Sequence, residues 1–310
     1  MSTTVTPRAA PSPLGSLSQY ESYDATPVIG TVFSNKSTQL SQLLEAPNAD
    51  GLLHDLAVLV SHRGVVFFKD QDITVEQQKR LGQKLGELTG KPETSKLHRH
   101  PVSEDVPELG LEISVISSKS GGKRPGYQTK LKASGGWHSD VTFEKVPSDY
   151  AILKLHTLPP VGGDTLWASG YEAYDRLSPA YQKFLEGLTA THDGNFFHEY
   201  AEKAGRKINL ERGAPENVGI RYRWGTNDVA IWDNRVTVHA ATHDYLEHRE
   251  GNRVVSLGEK PYFDPDSKSR REVLVSSLGG EPHPDLSSSS RREGVKAAPP
   301  HPDILHFDAL

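Results

Sequence analysis

The stretch Tyr150–Leu158 (YAILKLHTL) alternates apolar and polar residues, and Pro159-Pro160-Val161-Gly162-Gly163-Asp164 interrupts it before a second apolar run, Thr165-Leu166-Trp167. A period of two is the signature of a strand with two unlike faces, and a Pro-Pro and Gly-Gly pair enforces a turn. Shorter runs of the same kind occur at Gly64–Phe68 (GVVFF), Val229–Trp232 and Arg253–Leu257, bounded by Gly, Asp or Lys. Between them, Ser37–Val60 and Ser169–Leu188 carry helical spacing. Thr74–Leu88 opens with Thr74 and Gln77, the pattern of a capping box. With 27 Gly and 21 Pro in 310 residues, the chain suits a turn-rich fold better than a helical bundle. The expected class is mainly β (α+β): an antiparallel barrel or jelly roll with flanking helices. Residues 1–20 and 264–310 are rich in Ser, Pro and charge and are expected to be flexible tails, which leaves one domain over 21–263.

A net charge of −5 with no basic stripe argues against a nucleic-acid partner. The absence of cysteine removes disulfides, thiolate ligands and a cysteine nucleophile together, so any metal must rest on His, Asp or Glu. No run of about 18 apolar residues occurs, and the first residues lack a basic start followed by an apolar stretch. The expectation is a cytoplasmic protein with no membrane partner.

Against that background one short motif stands out, Trp137-His138-Ser139-Asp140. If this stretch is extended, positions i and i+2 share a face, and one ion could reach both His138 and Asp140. His239, at the end of Ile231-Trp232-Asp233-Asn234-Arg235-Val236-Thr237-Val238-His239, is the candidate third ligand. Two imidazoles and one carboxylate form the facial donor set of non-haem Fe(II) oxygenases. A bare His-x-Asp is common, and an ordinary surface or core histidine is the bland reading of each residue. A hydrolytic zinc site is a further alternative, weakened by the lack of an obvious general base beside the motif. Trp137 and Trp167 read as core aromatics.

The wider sequence around these residues resembles the taurine/2,4-dichlorophenoxyacetate dioxygenase family. Three blocks carry the resemblance in the same order: Gly136–Phe143 (GWHSDVTF), Leu158–Trp167 (LPPVGGDTLW) and Ile231–His239 (IWDNRVTVH). It implies a double-stranded β-helix, and Fe(II) held by His138, Asp140 and His239, with 2-oxoglutarate and O₂ as co-substrates. It further implies that Thr165 and Arg249 hold 2-oxoglutarate, and that Arg253 and His100 contact the substrate. Arg249 and Arg253, four residues apart, would share one face of a strand. A solvated charge cluster with His248 is the plain alternative for this pair.

Departures from the family pattern qualify the substrate. Ser103 and Ser134 stand where taurine enzymes carry tyrosine and asparagine, and Asn195, Phe196 and Phe197 fall in a substrate-side loop. Glu250-Gly251-Asn252 occupies normally apolar positions, with Arg249 one residue nearer His239 than usual. Between His192 and Ile220 the family carries a longer segment, where this chain has only the Arg212–Asn217 connection. The expected function is hydroxylation of a small anionic substrate, with a taurine-like sulfonate that releases sulfite as one candidate. The alternatives are a carboxylic acid or biosynthetic intermediate as substrate, or a barrel that has lost catalysis. The resemblance also suggests a homo-oligomer.

Overall fold

A computed structural model describes residues 14–100, 106, 108–119, 136–186, 188, 190, 192, 220–242, 244–262, 264, 266–273 and 304–305. Along these residues run β1 (Ser22–Asp24), β2 (Thr31–Phe33), β3 (Val65–Phe68), β4 (Ile113–Ser117), β5 (Ser148–Thr157) and β6 (Thr165–Ser169). They are followed by β7 (Ile220–Tyr222), β8 (Val229–Asp233), β9 (Thr237–Ala241), β10 (Glu250–Leu257) and β11 (Ile304–Leu305). Seven of them form one sheet in the order β1-β2-β3-β8-β5-β10-β4, and four form a second, β11-β7-β6-β9. All neighbours are antiparallel except β2 and β3.

The central strands of the large sheet are apolar almost without interruption because both faces are covered. Val66, Phe68, Tyr150, Ile152, Val229 and Ile231 point to one side and join the helical core. Their neighbours Val65, Phe67, Ala151, Leu153, Ala230 and Trp232 point to the other, toward Trp167 and Tyr222 of the second sheet and Trp224 just past β7. The strand period of two thus divides one apolar run between two cores.

The helices depart from the sequence expectation where proline intervenes. The stretch Ser37–Val60 is two helices, α1 (Leu40–Glu45) and α2 (Ala49–Arg63). Ala46, before Pro47, is forced extended at ψ 148, since the ring excludes the helical conformation from the residue preceding it. Helix α3 (Val75–Leu88) carries the expected capping box of Thr74 and Gln77. The 169–188 stretch divides likewise, into α4 (Gly170–Asp175) and α5 (Pro179–Leu185). Ser178 caps the second of these, and Pro179 opens it at a position where no N–H is needed. Helix α3 lies on β5 and β10, where Gln78 Nε2 donates to the carbonyls of Ile152 and Asn252.

Residues 15–19 form a 3-10 turn with Leu17 fully buried in the helical core, and Asp55 accepts bonds from Ser16, so this part of the 1–20 stretch is packed on the domain. Beyond residue 263, Arg270 donates to the Val28 carbonyl and lies over the Tyr171 ring, and β11 extends the small sheet through β7.

Candidate metal and co-substrate site

The two histidines meet because their backbones pair. His138 and His239 exchange N–H···O bonds of 3.0 and 2.8 Å across an isolated antiparallel bridge, so their side chains rise on the same side with ring centroids 4.4 Å apart. Asp140 arrives differently from expectation. The 138–140 stretch is no continuous strand: Asp140 lies in a turn, and Val141 after it is held at φ 49. A β-branched residue in the left-handed region is strained, and such strain persists where surrounding contacts overdetermine it. Here they do. Asn234 Oδ1 accepts from the Asp140 N–H (3.2 Å) and from the Trp232 indole (2.9 Å), while its amide donates to Ser148 Oγ. Ser139 Oγ donates to the Thr237 carbonyl, so the turn is laced to the 233–237 corner.

The outcome is a cluster in which one ligand atom from each of His138, Asp140 and His239 lies within 4.8 Å of the others. His138 Nε2 and His239 Nε2 each stand 3.8 Å from a different oxygen of Asp140. Ligand atoms about 2.1 Å from a shared ion and at right angles are roughly 3 Å apart, so a modest inward movement would complete the shell. The environment fits a cation. Asp140 Oδ2 and His239 Nδ1 are buried without a hydrogen-bond partner. His138 Nδ1 donates to the Gly136 carbonyl at 2.9 Å, which leaves the Nε2 lone pair facing the cluster. Burial, then His138, pushes His239 down to about 3, so its imidazole is neutral at neutral pH, as ligation requires. Burial opposes ionisation of Asp140, but the Arg253 guanidinium and the imidazoles outweigh it and hold the carboxyl below the usual range. The His138 side chain is 45% exposed, against 5% for Asp140 and 7% for His239, which places the open side of the site over His138.

Two arginines lie beside the cluster. Arg249 and Arg253 are both buried, and the plain alternative of a solvated charge cluster does not hold. Arg253 Nη1 donates to Asp140 Oδ1 at 2.7 Å, and its Nε–H has no partner. Arg249 Nε donates to the Gly163 carbonyl (2.7 Å), and its Nη2 to Thr165 Oγ1 (3.3 Å). Gly251 lets β10 run this close to β5, since a Cβ there would sit 2.3 Å from the Lys154 carbonyl oxygen. Across from Arg249, the Gly162-Gly163 turn has φ near 75 at both residues, and Arg221 pins it by bridging Asp164 and Asp244 at 2.6 Å each. His100 is near enough to Arg253 and Asp140 to feel both charges; burial first, then Arg253, pushes it down to about 3.

The structure therefore brings His138, Asp140, His239 and Arg253 together and sets Thr165 and Arg249 in contact, while His100 lies within electrostatic range of Arg253 and Asp140. Trp167 is fully buried as expected, whereas Trp137 is half-buried in the loop. Ser103, Ser134, Asn195, Phe196, Phe197 and the shortened 193–219 segment lie outside the described residues. Sequence reading passed over Asn234 and Trp224. Asn234 lies within Ile231–His239, where its local signal is an amide two residues after a tryptophan. Trp224, whose indole donates to Thr165 Oγ1 at 3.1 Å, gave no local signal.

Two packed sheets with a His, Asp, His cluster on the inner side carry the donor set of a non-haem iron oxygenase. The sequence profile of the "Taurine catabolism dioxygenase TauD, TfdA family" matches residues 24–216, which include His138, Asp140 and Thr165. "Alpha-ketoglutarate-dependent dioxygenase btcD" of Neocamarosporium betae is 40% identical, over 84% of this chain and 97% of its own length. An "Alpha-ketoglutarate-dependent sulfonate dioxygenase" of Saccharomyces cerevisiae is 27% identical, over 70% of this chain and 63% of its own. The crystal structure of a taurine dioxygenase from Burkholderia xenovorans shares the fold with TM-score 0.56 and 23% identity, covering 80% of this chain and 94% of that one. The chain belongs to the TauD/TfdA family. It is an alpha-ketoglutarate-dependent (2-oxoglutarate-dependent) dioxygenase, an oxidoreductase whose cofactor is Fe(II) and whose co-substrates are 2-oxoglutarate and O₂. The first of these alignments spans 337 positions, more than the 310 residues here, so that relative carries residues this chain lacks.

Proposed function

We propose that His138 Nε2, Asp140 and His239 Nε2 hold the Fe(II), that Arg249 and Thr165 hold the distal carboxylate of 2-oxoglutarate, and that the enzyme hydroxylates a small anion received by Arg253 with His100 beside it. The observation that carries this reading is the three-residue cluster within 4.8 Å, with an unpartnered Asp140 oxygen, next to a buried arginine with an unpartnered Nε–H.

The spacing supports the co-substrate assignment. Trp167 pairs with His239 across β6 and β9, and Thr165 lies two residues further along the same face. Two strand residues cover roughly 7 Å, a span a five-carbon dicarboxylate can bridge. Charge supports an anionic substrate. Arg253 is buried beside the cluster with its Nε–H unpartnered, a donor that an anion would satisfy. When bound, the iron with 2-oxoglutarate and O₂ supplies the oxidising chemistry. The chain's own residues orient the two anions by charge-assisted, fork-shaped hydrogen bonds from arginine. On the inner side the Trp232 ring lies against His239, 4.9 Å between centroids, and makes that part of the site's wall apolar.

Among anions, a sulfonate is the first candidate, supported by the name of the yeast relative. A carboxylic acid or biosynthetic intermediate would suit the same guanidinium. The sheets are proposed to close as a double-stranded β-helix. The cytoplasmic location and the homo-oligomer belong to the same proposal, and among the described residues no helix is long and apolar enough to cross a membrane.

The test is anaerobic addition of Fe(II) and 2-oxoglutarate, followed by the visible charge-transfer band of the chelate. The band is expected in the wild type and absent from His138→Ala. Sulfonates and carboxylates are then screened for sulfite and succinate release. A folded protein without the band would sink the ligand assignment and favour a barrel that binds without catalysing.

A further inference from the structure

Trp224 lies outside the metal cluster and outside the residues that the family resemblance implies for ligand binding. Its ring is buried, edge-on to Tyr222 at 5.3 Å and tilted against Trp167 at 6.0 Å. Its indole N–H donates to Thr165 Oγ1 at 3.1 Å. The same oxygen accepts from Arg249 Nη2 at 3.3 Å. A threonine hydroxyl has two acceptor lone pairs and one hydrogen to donate. Both lone pairs are thus taken, and among the described residues the hydrogen has no acceptor.

We propose that Trp224 is a positioning residue for the co-substrate: with Arg249 it saturates Thr165 Oγ1 as an acceptor, which turns that hydroxyl into a dedicated donor toward the oxyanion of 2-oxoglutarate. This rests on the reading of Thr165 and Arg249 as the anchors of that carboxylate. The hydroxyl rotor is otherwise free to turn, and a free rotor would offer the incoming group a lone pair as readily as a hydrogen. With two donors fixed on the oxygen, an acceptor-only group fits and a group that must donate does not. Arg249 is arranged to the same end. Its Nε and one Nη2 hydrogen are spent on Gly163 and Thr165, which leaves the Nη1 and Nη2 end of the fork for the carboxylate.

The readout is the dissociation constant of 2-oxoglutarate, titrated anaerobically through the Fe(II) charge-transfer band, in a double-mutant cycle. Trp224→Phe, which keeps a ring against Tyr222 but removes the N–H, is expected to weaken 2-oxoglutarate about five- to tenfold in the wild-type background. Thr165→Ser, which keeps the hydroxyl, is expected to stay sensitive to Trp224→Phe. In Thr165→Val the second substitution should change affinity less than twofold, because the hydroxyl through which Trp224 acts is gone. If Trp224→Phe does not fold, benzothienylalanine at position 224 removes the N–H with the ring shape kept. Unchanged affinity on loss of the N–H, or an equal loss in Thr165→Val, would overturn the proposal while leaving the co-substrate site standing. A wild-type protein that gives no band would overturn both.

Discussion

On the face of the large sheet that meets the helices, Val66, Phe68, Ile152 and Ile231 pack against Leu52, Leu56 and Leu85, and the polar groups reaching this layer are bonded. Tyr150 Oη meets Ser61 and the Ala57 carbonyl; the Gln78 amide meets two strand carbonyls. On the inner side, Arg253 Nε of β10, and Asp140 Oδ2, His239 Nδ1 and Trp167 Nε1 from the 138–140 turn and the small sheet, are buried with no hydrogen-bond partner. Each such group costs about 1–3 kcal/mol. The helical face is built to hold the fold, and the inner face gives up stability at groups such as Asp140 Oδ2 and Arg253 Nε, which a metal ion and an anion would complete in the proposed site. Stability and function are therefore separable by face, and substitutions on each should report different quantities.

The largest expected effect is on the inner face. His239→Ala should lower Mn(II) affinity, followed by electron paramagnetic resonance, by at least about a hundredfold, while the melting temperature of the metal-free protein stays level or rises. A fall in stability comparable to a core deletion would erase the contrast. Leu56→Ala, on a fully buried helical side chain, should cost about 3 kcal/mol by urea titration, with the 2-oxoglutarate affinity of the folded fraction within twofold of wild type. Gly251→Ala brings a Cβ on β10 against the Lys154 carbonyl of β5, which links both properties. We expect a loss of about 2 kcal/mol together with weakened 2-oxoglutarate binding, and normal binding would show that Arg249 is placed independently of the β5 contact. Asn234→Ala should act more gently. It frees the Asp140 N–H and the Trp232 indole, costing about 1–2 kcal/mol and roughly tenfold in metal affinity; a stability change with metal affinity intact would deny it the role of placing Asp140.

Much of this organisation was legible beforehand, and unevenly. The strands Val65–Phe68 and Val229–Asp233 and the Thr74 capping box could be read locally, because apolar runs and cap residues act over a few positions. Strand β9 was not read: Thr237–Ala241 lies in a segment that looks polar, and it is a strand because it pairs with β6. The helix breaks at Pro47 and Pro179 each rest on one residue, whose local effect the helical spacing on either side conceals.

At the site, residue types and spacing determined the inventory: two histidines, one aspartate, no cysteine and a pair of arginines four apart, which restricts the chemistry to hard and borderline ligands and to anions. What only the tertiary structure decided is which atoms meet. The ion pair of Arg253 and Asp140 joins residues 113 apart, Asn234 reaches Asp140 across 94, and Trp224 reaches Thr165 across 59. Contacts of that range arise when two sheets close on each other, and no pattern within a strand or helix period encodes them. Local sequence carries the donors; sheet closure aims them.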